Sequence, residues 1–285
     1  MDTRFLESLI AVVESGSIAG AARAQNLTAA AVSQRIRVLE TELGSRLLVR
    51  TSHAAQPTPE CLRVLPAARE LVKAAQRLSS ATDAQGLGGP YRLGAVSTVL
   101  VDYGPTIIDT FKENAPKATL TIRPGTSRVL YQDLVSGHLD AVLISEPPFS
   151  LPKSLHSRLF CEEKAVHILP AGVVKKDVGD AVLPWIVYDR EAWGGRVIWN
   201  ACERIIRSGH ILCELDGLET IAQMVARGAG QAIVPDWRGL NAQRSNLQEL
   251  SMTTTAVRKL VLVHPTASVV ASLTELVLAA ISKAP

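Results

Sequence analysis

The sequence has little with which to carry out covalent chemistry. Its four cysteines, Cys61, Cys161, Cys202 and Cys213, are scattered over 285 residues with no Cys-x-x-Cys pair. They read as reduced thiols, and the alternative left open is a redox-sensing regulator acting through Cys161, Cys202 or Cys213. No group of Cys, His and acidic residues has metal-ligand spacing, so no metal or cofactor is expected. There is no Gly-x-Ser-x-Gly elbow, no phosphate-binding Walker loop and no Gly-x-Gly-x-x-Gly, so a ligand-processing enzyme has no site and no catalytic residue is assigned. No charged start leads into an apolar stretch with a cleavage site, and no run of about 18 apolar residues occurs; the expectation is a cytoplasmic protein with no membrane partner. Aromatic residues are sparse at 4%, and the formal net charge of +3 excludes little. Lysine is missing from residues 1–58, where six arginines (4, 23, 35, 37, 46 and 50) face five acids. Arginine is the side chain suited to two-pronged contacts with phosphate and guanine.

Five of those arginines lie within or beside Ser17–Arg50, SIAGAARAQNLTAAAVSQRIRVLETELGSRLLVR. Ser17, just after Gly16, is a plausible N-cap for a short helix to about Gln25. Asn26-Leu27-Thr28 forms a turn, and Thr28 can cap a second helix from about Ala29 to Leu43. Val32, Ile36, Leu39 and Leu43 place one apolar stripe on that helix, facing inward. Off the stripe lie Ala29, Ala30, Ser33, Gln34 and Arg37. Small residues in the first turn let a helix enter a major groove roughly 12 Å wide, where Ser, Gln and Arg can address bases and phosphates. This is the layout of a helix-turn-helix whose second helix reads double-stranded DNA. Leu47–Arg50 followed by a polar turn from Ser52 to Pro57 reads as a wing, with Arg50 and His53 near backbone phosphates. The candidate DNA contacts are Ser17, Thr28, Ala29, Ala30, Ser33, Gln34, Arg35, Arg37 and Arg50.

The same stretch resembles the winged helix-turn-helix of the LysR-type transcriptional regulators. The resemblance rests on Phe5-Leu6, Gly16-Ser17, Ala21-Ala22, Ala31-Val32-Ser33-Gln34, Ile36, Leu39-Glu40, Leu43-Gly44, Leu47 and Arg50. Two departures stand out: Ala29-Ala30 occupies a place where the family often has Gln-Pro, and Leu47-Leu48 replaces the usual Leu-Phe.

Thr58-Pro59-Glu60 is a helix start, with Thr as cap, Pro at the first position and an acid in the first turn. Val64, Ala68, Leu71, Ala75 and Leu78 then form a stripe to about Thr82, widened by Leu65 and Val72. Such a stripe expects a partner copy to cover it. The resemblance implies a dimer through this linker helix and a homotetramer built from such dimers. Asp83–Pro90 is Gly-rich and reads as a hinge. Strands and helices then alternate to the end of the chain, which argues for a parallel α/β sheet. The resemblance makes this region a two-lobed, periplasmic-binding-protein-like effector domain. The expected organisation is a winged domain over 1–58, linker helix and hinge over 59–89, and effector domain over 90–285. Lobe I takes about 90–160 and 250–285, and lobe II about 161–249.

In an open α/β sheet, ligands settle beyond the carboxyl ends of strands, near helix N-termini. Ser97-Thr98 and Gly125-Thr126-Ser127 follow strands and open helices, where hydroxyls and free N–H groups favour a carboxylate. Both stretches match positions where the LysR family commonly holds its effector. Ser145 and Glu146 end a third strand, and Tyr188 faces them from the second lobe. The candidate effector contacts are Ser97, Thr98, Thr126, Ser127, Ser145, Glu146 and Tyr188. AVSQRI with LLVRT further resembles the branch controlling export of basic amino acids, which would set Glu146 against a cationic ligand.

Overall fold

The structure is a computed structural model. It describes residues 1–50, 54–80, 86–172, 183–250, 252 and 256–283, with the side chains of Arg50, Lys73 and 76–80 excluded. His53, the Leu78 side chain and the first residues of the expected hinge therefore lie outside the described set. The chain divides into two compact units, Met1–Ala84 and Gln85–Pro285.

The first unit holds α1 (Thr3–Ser15), α2 (Ile18–Ala24), α3 (Ala29–Leu43), a hairpin of β1 (Leu48–Arg50) and β2 (Ala55–Pro57), and α4 (Pro59–Ser80). Its helix ends follow from local chemistry. Ser17 Oγ accepts from the Gly20 N–H at 3.0 Å, and Thr28 Oγ1 from the Ala31 N–H at 3.1 Å. Each such cap stabilises its helix by about 1 kcal/mol. Gly44 closes α3 at φ 65°, a left-handed conformation that a side chain would strain. The tight turn between α2 and α3 needs the same conformation at Asn26 (φ 53°), a residue type that tolerates it. Thr58 caps α4 through the Cys61 N–H at 3.1 Å and also donates to the Arg46 carbonyl at 2.9 Å, tying wing to helix.

One core joins Leu6, Leu9, Val12, Val32, Ile36, Leu39, Leu47 and, from α4, Cys61, Leu65, Ala68 and Val72. This modifies the sequence expectation for the linker helix. Its most buried stripe packs on α1 of its own unit, while Leu71 remains 46% exposed on the adjacent side.

The second unit comprises β3 (Gly89–Ala95), α5 (Ser97–Asn114), β4 (Ala118–Pro124), α6 (Ser127–Val135), β5 (Ala141–Ser145), β6 (Leu155–Pro170), β7 (Trp185–Tyr188), α7 (Trp193–Ile206), β8 (Ile211–Leu215), α8 (Leu218–Ala226), β9 (Ala232–Pro235), a 3-10 helix (Arg238–Asn246), β10 (Leu247–Leu250), β11 (Val257–Pro265) and α9 (Ala271–Lys283). The sheet is mixed rather than parallel. β3 pairs in parallel with β4 and β5, whereas β11 pairs antiparallel with both β5 and β6. β6 runs through both lobes. Residues 155–164 pair with β11, and the remainder pairs antiparallel with β9 and β10. The lobes meet at Lys164-Ala165, where Ala165 N–H donates to the Ala256 carbonyl at 2.9 Å.

Lobe II has its own core, including Ile186, Ile221, Val225, Val234 and Trp237. In lobe I, Leu93, Ile107, Leu143, Leu262 and Val277 pack on one side, and Leu130, Ile144 and Val263 on the other. Trp193, the first residue of α7 in lobe II, is 6% exposed and belongs to that second cluster of lobe I. It meets Tyr131 and Phe149 of lobe I at ring-centroid distances of 5.8 and 5.6 Å.

Candidate functional site

On α3 the inward stripe and the outward face separate as the spacing requires. Val32, Ile36 and Leu39 have no exposed surface, whereas Thr28, Ala29, Ala30, Gln34 and Arg37 are exposed and Ser33 is half-buried. Arg35 departs from the expectation. Its guanidinium donates to Ser8 Oγ of α1 at 3.1 Å, because position 35 borders the apolar stripe and points along the neighbouring helix. Ser17 is half-buried and engaged as the cap of α2, a structural duty. Arg50 lies at the end of β1, and its side chain is outside the described set. Arg46, not singled out from sequence, is exposed beside Arg37 and Glu40 on a surface groove. Glu40 Oε1 accepts from the Leu47 and Leu48 N–H groups at 2.9 and 3.2 Å, fixing that side of the wing to α3.

In the second unit a cavity of about 240 Å³ lies between the lobes, lined by Ser97, Thr98, Thr126, Ser127, Tyr188 and Arg258, with Val96, Gly125, Ala192, Asp216 and Leu218. The first residues or caps of α5, α6, α7 and α8 all appear in that lining. Only α6 is closed by a side-chain cap, Thr126; the caps of α5, α7 and α8 are Val96, Ala192 and Gly217, without side-chain hydrogen bonds. Uncapped N-terminal N–H groups and the positive end of each helix dipole favour an anion. Ser97 and Ser127 are the first helical residues of α5 and α6.

Five of the seven expected effector contacts, Ser97, Thr98, Thr126, Ser127 and Tyr188, line this cavity. Ser145 is buried behind it, donating its N–H to Ser127 Oγ at 3.1 Å. Glu146 is displaced: it is exposed and absent from the lining, because its N–H pairs with the Lys259 carbonyl as the strand runs outward. The charged group at the cavity is instead Arg258, which was not among the residues singled out from sequence. It is 2% exposed, pairs directly across the sheet with Glu163, donates from Nε to Glu163 Oε2 at 2.6 Å, and reaches Thr98 Oγ1 at 3.1 Å. A lone Arg in the apolar run VRKLVLV was the available signal, since a buried charge needs both a partner and a reason. Burial pushes the Glu163 carboxyl up, although Arg258 opposes the shift. Burial also pushes the Tyr188 phenol up to about 12.

Further contacts close the rim. Arg128 of lobe I lies 3.6 Å from Glu191 of lobe II, and Asp102 on α5 accepts from the Arg238 N–H at 3.1 Å. None of the four cysteines is in a disulfide, and burial pushes the Cys161 thiol up, the direction opposite to an activated thiolate. No single helix among the described residues is long and apolar enough to cross a membrane.

Comparison with known proteins agrees with both units. The model of bacterial regulatory helix-turn-helix proteins of the lysR family matches residues 3–62, and that of the LysR substrate binding domain matches residues 84–284. The transcriptional activator IlvY of Salmonella typhimurium is 27% identical over 248 residues, covering 83% of each chain. A probable hydrogen peroxide-inducible genes activator of Mycobacterium avium is 32% identical over 144 residues, covering 50% of this chain and 46% of its own. Among solved structures, a full-length OxyR variant of Pseudomonas aeruginosa shares the fold, with a TM-score of 0.75 and 19% identity over 100% of this chain and 95% of its own. With a lysR-family helix-turn-helix at one end and the family's substrate binding domain over most of the remainder, the chain belongs to the LysR family of transcriptional regulators.

Proposed function

We propose that this LysR-type regulator reads its operator with the exposed face of α3, through Thr28, Ala29, Ala30, Ser33, Gln34 and Arg37, with Arg46 and Arg50 on flanking phosphates. The observation that carries the reading is the division of α3 into a sealed apolar stripe and an exposed polar face. The small first turn lets the helix approach the groove, and Gln34 and Arg37 supply base and phosphate contacts. The protein works in the cytoplasm as a binding protein and not as an enzyme. It pairs through the Val64, Leu71 and Ala75 side of α4 and assembles as a homotetramer. The division into 1–58, 59–89 and 90–285 assigns DNA reading, pairing and effector sensing to successive segments. Retardation of promoter DNA by the purified chain, measured over a range of salt, tests the reading. Binding that falls steeply with salt and favours one sequence supports it; equal, weak retention of all DNA at every salt concentration overturns it.

The effector is a carboxylate-bearing metabolite held between the lobes. The convergence of four helix N-termini and Arg258 on one cavity supports this assignment. Ser97, Thr98, Thr126 and Ser127 serve as hydroxyl contacts from lobe I and Tyr188 as a contact from lobe II, with Ser145 supporting Ser127. A cationic ligand held at Glu146, the expectation for a basic-amino-acid branch, is not retained, because Glu146 is outside the cavity.

A further inference from the structure

The cavity is not uniformly suited to an anion. Its lobe I side carries the N-termini of α5 and α6, the hydroxyls of Ser97, Thr98 and Ser127, and the nearby guanidinium of Arg258. Its lobe II side carries the N-termini of α7 and α8 as well, but there Asp216 in the lining, just before α8, adds a negative charge. Three residues on, Glu219 is not itself in the lining, but one of its oxygens accepts from the lining residue Ser97 Oγ at 3.5 Å and the other, Oε1, is buried without a hydrogen-bond partner. An unsatisfied buried acceptor calls for a donor. Arg258 is the one cation among the described lining residues and already holds Glu163 and Thr98. Burial, with Asp189 adding to it, pushes the Asp216 carboxyl up, although Arg258 and a hydrogen bond from Tyr188 oppose the shift. A pure carboxylate would fill the lobe I side and face Asp216 with like charge. A pure amine would meet the positive ends of the helices. A molecule carrying both charges satisfies both sides.

Size narrows the class. The cavity volume of about 240 Å³ accommodates a small amino acid. Val96, Ala192 and Leu218 add an apolar wall for a short side chain.

We infer that the effector is a small α-amino acid, its carboxylate on the hydroxyls and helix N-termini of lobe I and its ammonium between Asp216 and Glu219. This rests on the reading of the interlobe cavity as a carboxylate-effector site. The test is calorimetric titration of the full chain with alanine, serine, threonine, valine and leucine, each beside the acid of the same skeleton lacking the amine. The variants Asp216→Asn and Glu219→Gln are titrated in parallel. At least one amino acid binds more tightly than its des-amino counterpart, and each variant weakens that amino acid by about tenfold, as for loss of one charge-assisted hydrogen bond, without weakening the des-amino acid. Equal binding of the two series, or wild-type affinity in both variants, overturns the dipolar ligand and leaves the carboxylate site standing. Absence of heat from both series overturns the carboxylate site as well.

Discussion

Gln34 and Arg37 are single positions on which the DNA-binding assignment turns. Alanine at either removes an exposed side chain from α3 without touching Val32, Ile36 or Leu39. Each substitution should weaken operator binding by about 1–3 kcal/mol in a fluorescence titration, with the melting temperature unchanged. Wild-type affinity in both would move the reading face elsewhere. Gly195 is an opposite case, invisible from outside. A Cβ there would lie 1.9 Å from the Asp189 carbonyl oxygen, and backbone cannot yield as a flexible side chain can. Gly195→Ala should cost at least 1–3 kcal/mol, in the range of overpacked cores, read by urea denaturation.

Among elements, α3 was legible almost to the residue because Thr28 and Gly44 bracket it with chemistry that only helix ends need. β6 was not. Its first ten residues are mostly exposed and read LHSRLFCEEK, with no two-residue alternation to reveal a strand. The hydroxyl-bearing turns before α5 and α6 were legible as helix starts for the same local reason as α3. Arg258 was missed because its partners Glu163 and Thr98 are remote in sequence. For α4, the exposed Leu71 makes a direct test of pairing. Leu71→Lys should convert dimers to monomers in sedimentation while preserving the unit's fold, since Leu65, Ala68 and Val72 hold the helix to α1.

His167 on β6 tests an element's tolerance of acid. Its ring stacks on Trp185 at 5.1 Å and bonds Gln231 Oε1 at 2.9 Å. Burial pushes its pKa down, with the Gln231 contact opposing. The folded state therefore binds this proton less readily than the unfolded chain. Stability is fully present above the unfolded value of about 6.5 and is lost as pH falls below it, until the folded pKa is passed. His167→Gln should flatten the decline in melting temperature between neutral and mildly acidic pH; an unchanged slope would remove His167 as its source.

For the whole molecule, the Arg258–Glu163 pair binds the region where lobe meets lobe. Breaking a buried ion pair from one side leaves a bare charge and costs about 3–5 kcal/mol, whereas replacing both members with apolar groups is often close to neutral. Arg258→Met should accordingly be far less stable than Arg258→Met with Glu163→Leu, judged by chemical denaturation. A double variant that loses as much as or more than Arg258→Met would show that the stranded carboxylate carries no such penalty.

β6 gives this pair a mechanical setting. One unbroken backbone supplies residues 155–164 to one lobe's sheet and its remainder to the other's. A ligand that rotates the lobes must twist a shared shaft, so rotation on one side is delivered to the other as torque along covalent bonds.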